Sequence, residues 1–232
     1  MFRMLLMLLS MVICCSSQMS AEETINLNAA VLEQDVTFTL SSPTSGELKV
    51  KERMIVFNRT GLSAASFELY TDSFRSLSSF SGKIEYGGKV INKIKTSDLV
   101  TMSLSSGLAD DSYVTMYEPN APYPCVIEYE YTVSYKKGIV NFPVFFPVLQ
   151  PNVAVKSADY TLKVPAGHKI QYKASSEPEV SSAGSNDVYK WTVRDFDGYV
   201  YEHNMPSVRK MVPYVYSGPV DFRYAGTSGS LS

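Results

Sequence analysis

From Cys125 to Val133 the side chains change sides at every step: Cys125, Ile127, Tyr129, Tyr131 and Val133 form one set, and Val126, Glu128, Glu130 and Thr132 the other. On a pleated backbone successive side chains point to opposite faces, so this pattern makes one apolar face and one wetter face; wound into a helix, the apolar set would be scattered around the circumference. The same alternation recurs in "DVTFTL", with Val36, Phe38 and Leu40 opposite Thr37 and Thr39, and in "ELKV", with Leu48 and Val50 opposite Lys49. It returns late in the chain, where Tyr189, Trp191 and Val193 share a face. Turn residues separate these runs. Pro43 and Gly46 predict a first hairpin, and Gly87-Gly88, which can both take positive φ, predict a second. Pro165 to His168 and Asp197-Gly198 predict two more. Pro143, Pro147 and Pro151 exclude a central helix in "IVNFPVFFPVLQP" and suggest an edge or a crossover between sheets. "TSDLV" offers at most one helical turn capped by Ser97, with a loop as the equal alternative.

About a dozen such strands with few or no helices predict an all-β chain, an antiparallel β-sandwich, which at this length could be a large two-sheet super-sandwich. The 16 tyrosines and 11 phenylalanines suit half-buried pleated surfaces. Hydrophobic residues at 45% and charged residues at 19% exclude a disordered tail and a membrane bundle. A formal charge of −2 with scattered cations leaves no phosphate-tracking face, so nucleic acid is not expected as a partner.

The opening "MFRMLLMLLSMVICCSSQMSAEE" has one cation at Arg3, an apolar run from Met4 to Ile13 and then small polar residues, the plan of a secretory leader. Residues 1–20 are therefore expected to be a signal peptide, 21–217 the β-sandwich domain and 218–232 a flexible tail or linker. A secreted or periplasmic, cell-envelope address follows, with no transmembrane segment in the mature chain. Lipid attachment at Cys14 or Cys15 is the rival, disfavoured by bulky Val12 and Ile13 just ahead. With the leader removed, Cys125 is the one remaining thiol and can form no internal disulfide.

No motif specifies a reaction. Activating Cys125 as a nucleophile would need a helix N-terminus or a nearby cation; instead it opens a strand on the apolar face, which predicts packing. His168 and His203 sit beside turns without metal-ligand spacing, and "RDFDGYVYE", with Asp195, Asp197 and Glu202, has too few oxygen ligands for calcium and reads as an Asp-Gly turn. Neither a metal nor a cofactor is expected. Asn58 in "NRT" matches a glycosylation sequon that is frequent by chance. The candidate binding residues are aromatic. Tyr199, Tyr201, Tyr214 and Tyr216 fall in and after the last expected hairpin, where exposed rings could stack on sugars or dock peptide side chains.

The order of "CVIEYEYTV", "FPVFFP", "YTLKVPAG", "VYKWTVRDF" and "YEHNMPSVRKMVPYVYSG" resembles DUF3857, the N-terminal domain of unknown function that precedes transglutaminase-like domains in secreted bacterial proteins. The matching positions are Ile127 to Tyr131, Phe142 to Pro147, Tyr189 to Trp191, and Glu202 to Pro206, within about Leu48 to Ser217. The resemblance implies a β-sandwich and an envelope address, and it carries over no catalytic residue, because the family's Cys-His-Asp core would begin about where this chain ends. The expected function is that of a non-catalytic exported module for protein, peptide or glycan interaction, accessory to a transglutaminase-like domain. The alternative is the substrate-positioning part of a cysteine acyltransferase or protease whose catalytic domain lies outside this chain.

Overall fold

A computed structural model describes residues 26–104, 111–224 and 226–230. The expected signal peptide, with Cys14 and Cys15, lies outside them. Sixteen strands follow in chain order: β1 (Ala29–Ser42), β2 (Ser45–Val56), β3 (Phe67–Thr71), β4 (Arg75–Tyr86), β5 (Lys89–Lys95), β6 (Val100–Ser103), β7 (Tyr113–Tyr117), β8 (Cys125–Tyr135), β9 (Gly138–Ile139), β10 (Val153–Pro165), β11 (Ile170–Ala174), β12 (Glu179–Ala183), β13 (Asn186–Phe196), β14 (Val215–Pro219), β15 (Asp221–Tyr224) and β16 (Thr227–Ser230). Helix among the described residues is limited to short 3-10 turns at Arg59–Ala64, Thr96–Asp98 and Val208–Lys210. The chain is all-β.

One layer is an eight-stranded sheet in the order β12-β13-β10-β1-β2-β8-β4-β5. The other is a patchwork of small sheets, β11-β14, β16-β15-β9 and β3-β7-β6, together with the irregular segment 139–148. Phe67, Ile139, Phe142, Phe145, Val148 and Val215 from this side join Phe38, Ile127, Tyr160 and Trp191 from the large sheet in one buried cluster. Rings interlock across it: Phe38 meets Tyr135 edge-on at 5.2 Å and Phe142 at 5.4 Å. Burying each such side chain contributes roughly 1.5–3 kcal/mol. The solvent face of the large sheet carries ion pairs instead, such as Asp159 with Lys190 and Arg194 and Glu128 with Lys83.

The expected antiparallel sheet is in fact mixed, because β1 pairs parallel with β10 while its other neighbour, β2, is antiparallel. A parallel pair needs a long crossover and no turn signal, so it leaves no local mark in the sequence. The hairpins β1-β2 and β4-β5 form where expected, the second with Gly87 and Gly88 at φ 57° and 77°. The turn at Thr96–Asp98 also forms, capped by the Asp98 carboxylate accepting from Lys95 N–H rather than by Ser97. Two expected hairpins do not form. After Pro165 to His168, β11 leaves β10 and pairs with β14; after Asp197-Gly198 the chain runs without strand pairing to Tyr214. Where a tail was expected from 218, β14 continues to Pro219 and β15 pairs on one side with β16 and on the other with β9. These ladders are held by backbone hydrogen bonds, which Gly and Ser supply as well as apolar residues do.

Candidate functional site

The sequence "IQYKA" in β11 is paired with "VYSGP" in β14, residue against residue from Ile170↔Pro219 to Ala174↔Val215. Just outside this ladder Ser175 N–H donates to the Tyr214 carbonyl at 3.0 Å and Val220 N–H to the Lys169 carbonyl at 3.0 Å. Antiparallel pairs alternate between bonded and non-bonded, so 169, 171, 173 and 175 are the bonded positions. The N–H and C=O groups of Ile170, Tyr172 and Ala174 therefore face away from β14, on an edge with no strand beside it among the described residues.

Side-chain alternation divides the ribbon as cleanly. Ile170 and Ala174 pack on the core with Val215, and Tyr172 meets Trp191 edge-on at 5.4 Å. Gln171, Lys173, Tyr216 and Gly218 occupy the outer face. Segment 141–146 makes the wall beside β14: Phe142 N–H donates to the Ser217 carbonyl at 3.0 Å, and Phe145 and Val215 exchange two backbone hydrogen bonds of 2.9 Å. Gly218 keeps the floor open, because a Cβ there would lie 3.2 Å from the Val140 carbonyl oxygen and 3.5 Å from Asn141 Oδ1. The result is a groove of about 400 Å³ lined by Asn141, Val144, Gln171, Lys173, Tyr216 and Gly218 among others.

One end of this groove is aromatic and basic. Phe146 meets Tyr216 edge-on at 5.6 Å and Tyr214 at 6.4 Å, and the two tyrosine rings are 5.6 Å apart. The Arg209 guanidinium lies 5.9 Å from the centre of the Phe146 ring. Lys173, Arg209, Lys210, Tyr214 and Tyr216 line an adjoining basin of about 290 Å³. All three cations are exposed, and none pairs with a carboxylate among the described residues.

Of the four tyrosines singled out in the sequence, the structure brings Tyr214 and Tyr216 together. Tyr201 is 67% exposed and makes no ring contact among the described residues. Tyr199 is not a surface ring. It is 8% exposed and its hydroxyl donates to the Leu149 carbonyl at 2.6 Å, because the chain after Gly198 crosses at the start of β10, its Tyr199 carbonyl accepting from Asn152 N–H at 2.8 Å, instead of turning back as a strand. The sequence alone does not single out Phe146, Gln171, Lys173 or Arg209 as site residues. The alternation of "IQYKA" could have placed Gln171 and Lys173 on one face; nothing local could have placed Arg209 over Phe146.

Cys125 is 1% exposed, in register with Val56 and Tyr86, and burial pushes its thiol above the ordinary range. That is packing, not activation. Burial pushes His168 down, against the pull of Asp221, and His203 is exposed. Asp195 pairs with Lys156. Among the described residues no three His, Cys, Asp or Glu side chains converge on one point. Asn58 fixes the 3-10 turn that follows it, since its Oδ1 accepts from Gly61 N–H at 3.1 Å and its Nδ2 donates to Asn28 Oδ1 at 3.0 Å.

The model of one family, DUF3857, a domain of unknown function with solved structure, matches residues 42–199. Among proteins with curated descriptions none matches the chain. A solved structure of a candidate protease from Parabacteroides distasonis is similar at a TM-score of 0.66 and 16% identity, over 82% of this chain and 40% of that one, which is a likeness of fold. An M1 zinc metallopeptidase from Deinococcus radiodurans aligns at 0.41 and 9% identity, over 83% of this chain and 42% of that one. The chain thus spans about two-fifths of the length of these structures.

Proposed function

The chain belongs to the DUF3857 family, and we propose that it serves as a non-catalytic, exported interaction module that holds an extended segment of a protein or peptide in the β11-β14 groove, beside a transglutaminase-like domain. The observation that carries this reading is the free edge of β11 next to an open groove. An unpaired strand edge offers backbone donors and acceptors to an incoming strand, and a groove beside it can select side chains at alternate positions. Glycan stacking on Tyr214 and Tyr216 is the competing ligand class, favoured by the adjacent aromatic rings but not by a strand edge. Export follows from the leader pattern of residues 1–20. The buried, unactivated Cys125 supports a role without covalent chemistry.

Isothermal titration of the mature module against a panel of unrelated extended peptides and neutral oligosaccharides tests this. Peptide binding that is lost in Tyr216→Ala supports the reading, and binding by neither class ends it.

One observation favours a second reading: the fold recurs as two-fifths of a candidate protease. Here the module would position substrate for a cysteine acyltransferase or protease domain in the same protein. A Cys-His-Asp domain encoded directly after Ser232 would support it, and a stop codon there would count against it.

A further inference from the structure

We infer that the segment taken by the β11-β14 groove is acidic, an extended peptide with carboxylates at alternate positions; this rests on the peptide-holding reading above. The chain as a whole carries a formal charge of −2, yet Lys173, Arg209 and Lys210 surround one basin with no carboxylate paired to any of them among the described residues. Some surface cations are neutralised by carboxylates, as at Asp159 with Lys190 and Arg194, Asp72 with Arg75, and Glu128 with Lys83. What sets Lys173, Arg209 and Lys210 apart is that they line one basin beside the β11-β14 groove.

Lys173 is the link between edge and charge. It is a bonded position of β11, so its own backbone groups are spent on Tyr216, and its side chain stands on the outer face. A strand added through Tyr172 and Ala174 would set its own side chains alternately on that same face, next to Lys173, where an opposite charge is favoured and a like charge is not. Arg209 and Lys210 extend the positive field past Tyr214 and Tyr216, and Arg209 is held in place by the Phe146 ring. Glu177, three residues beyond the end of β11, accepts from the Tyr172 hydroxyl at 2.6 Å and is thereby engaged. Charge complementarity of this kind sets partner choice and makes binding sensitive to salt.

The test uses blocked octapeptides of alternating sequence, (Glu-Thr)₄, (Gln-Thr)₄ and (Lys-Thr)₄, with oligogalacturonate as an anionic glycan, titrated into the mature module and into the double variant Lys173→Glu/Arg209→Glu. The acidic peptide is expected to bind about tenfold or more tighter than the neutral one, with the gap closing as salt rises from about 0.05 M to about 0.5 M. The double variant should reverse the order and take the lysine peptide, a gain that a misfolded protein could not show. Equal binding of acidic and neutral peptides, unchanged in the variant, would overturn the acidic preference while leaving the peptide-holding reading intact. Binding of oligogalacturonate alone, or of nothing, would overturn both.

Discussion

The ring of Phe145 lies parallel to that of Tyr160, with centroids 5.3 Å apart and planes inclined by 12°, and the Tyr160 hydroxyl donates to the Pro143 carbonyl at 3.0 Å. Through this one tyrosine, β10 of the large sheet holds the proline-rich segment that walls the groove. Proline denies the segment regular pairing beyond its backbone hydrogen bonds from Phe142 and Phe145 to β14, so side chains help to fix it. Tyr160→Phe keeps the stack and leaves the Pro143 carbonyl unpaired, which should cost about 1–2 kcal/mol in a urea titration. Phe145→Ala opens a cavity and should cost about 3–5 kcal/mol. If Tyr160→Phe is silent, the segment is held some other way.

A buried thiol whose pKa is raised reacts as a thiol, not a thiolate. Cys125 should therefore resist iodoacetamide in the native protein at neutral pH and be labelled at least about a hundredfold faster once denaturant is added. Cys125→Ala should leave peptide binding unchanged. Prompt labelling in the folded state would contradict the packing role.

Inside the large sheet, Glu52 on β2 accepts from Gln34 Nε2 on β1 at 2.9 Å. A β-bulge between Val31 and Glu33 switches the parity of β1 and turns Gln34 inward. Burial pushes the Glu52 carboxyl above its ordinary value near 4.5, and the Gln34 hydrogen bond only partly offsets it. A carboxyl that holds its proton more tightly when folded favours folding fully below the unfolded pKa, and that contribution is lost as pH rises through the folded pKa. Glu52→Gln, which keeps the shape and an acceptor, should raise Tm over the parent at about pH 8, with the gain shrinking toward about pH 4 in calorimetry. A gain independent of pH would mean the carboxyl is not the cause.

Gly198 sits at φ 88°, and a Cβ there would lie 2.6 Å from the Val153 carbonyl oxygen. Both the conformation and the close approach require glycine at this crossing. Gly198→Ala should cost about 2 kcal/mol or more in thermal or urea unfolding, and a loss of a few tenths would show that the crossing yields easily.

Much of this was legible from alternation. The faces of β1, β2, β8 and β13, the burial of Cys125 and the Gly87-Gly88 hairpin all follow from local period and turn chemistry. What was not legible is long-range. The parallel partnership of β1 with β10 and the departure of β11 to β14 are decided by which edges remain free once the core closes, and no residue in "VPAGHKI" records that choice. Tyr199 differs from the expectation for the same reason: Asp197-Gly198 has the composition of a hairpin turn, but among the described residues the chain beyond it forms no strand before Val215 and buries its tyrosine against the start of β10. Tyr214 and Tyr216 follow from their place after the last expected hairpin, whereas Lys173 and Arg209 belong to the site only because the fold brings positions 173 and 209 to one basin. The FPVFFP motif, for its part, supplies two core rings, Phe142 and Phe145, and one groove ring, Phe146.

Whether β11 is the receiving edge can be read by titrating the isotopically labelled mature module with (Glu-Thr)₄ and following its backbone amide shifts. Saturable changes should concentrate in 170–174 and 214–218, with slowed exchange of the Tyr172 and Ala174 amides as they gain partners. Saturable shifts centred elsewhere, with those two amides unmoved, would rule this edge out.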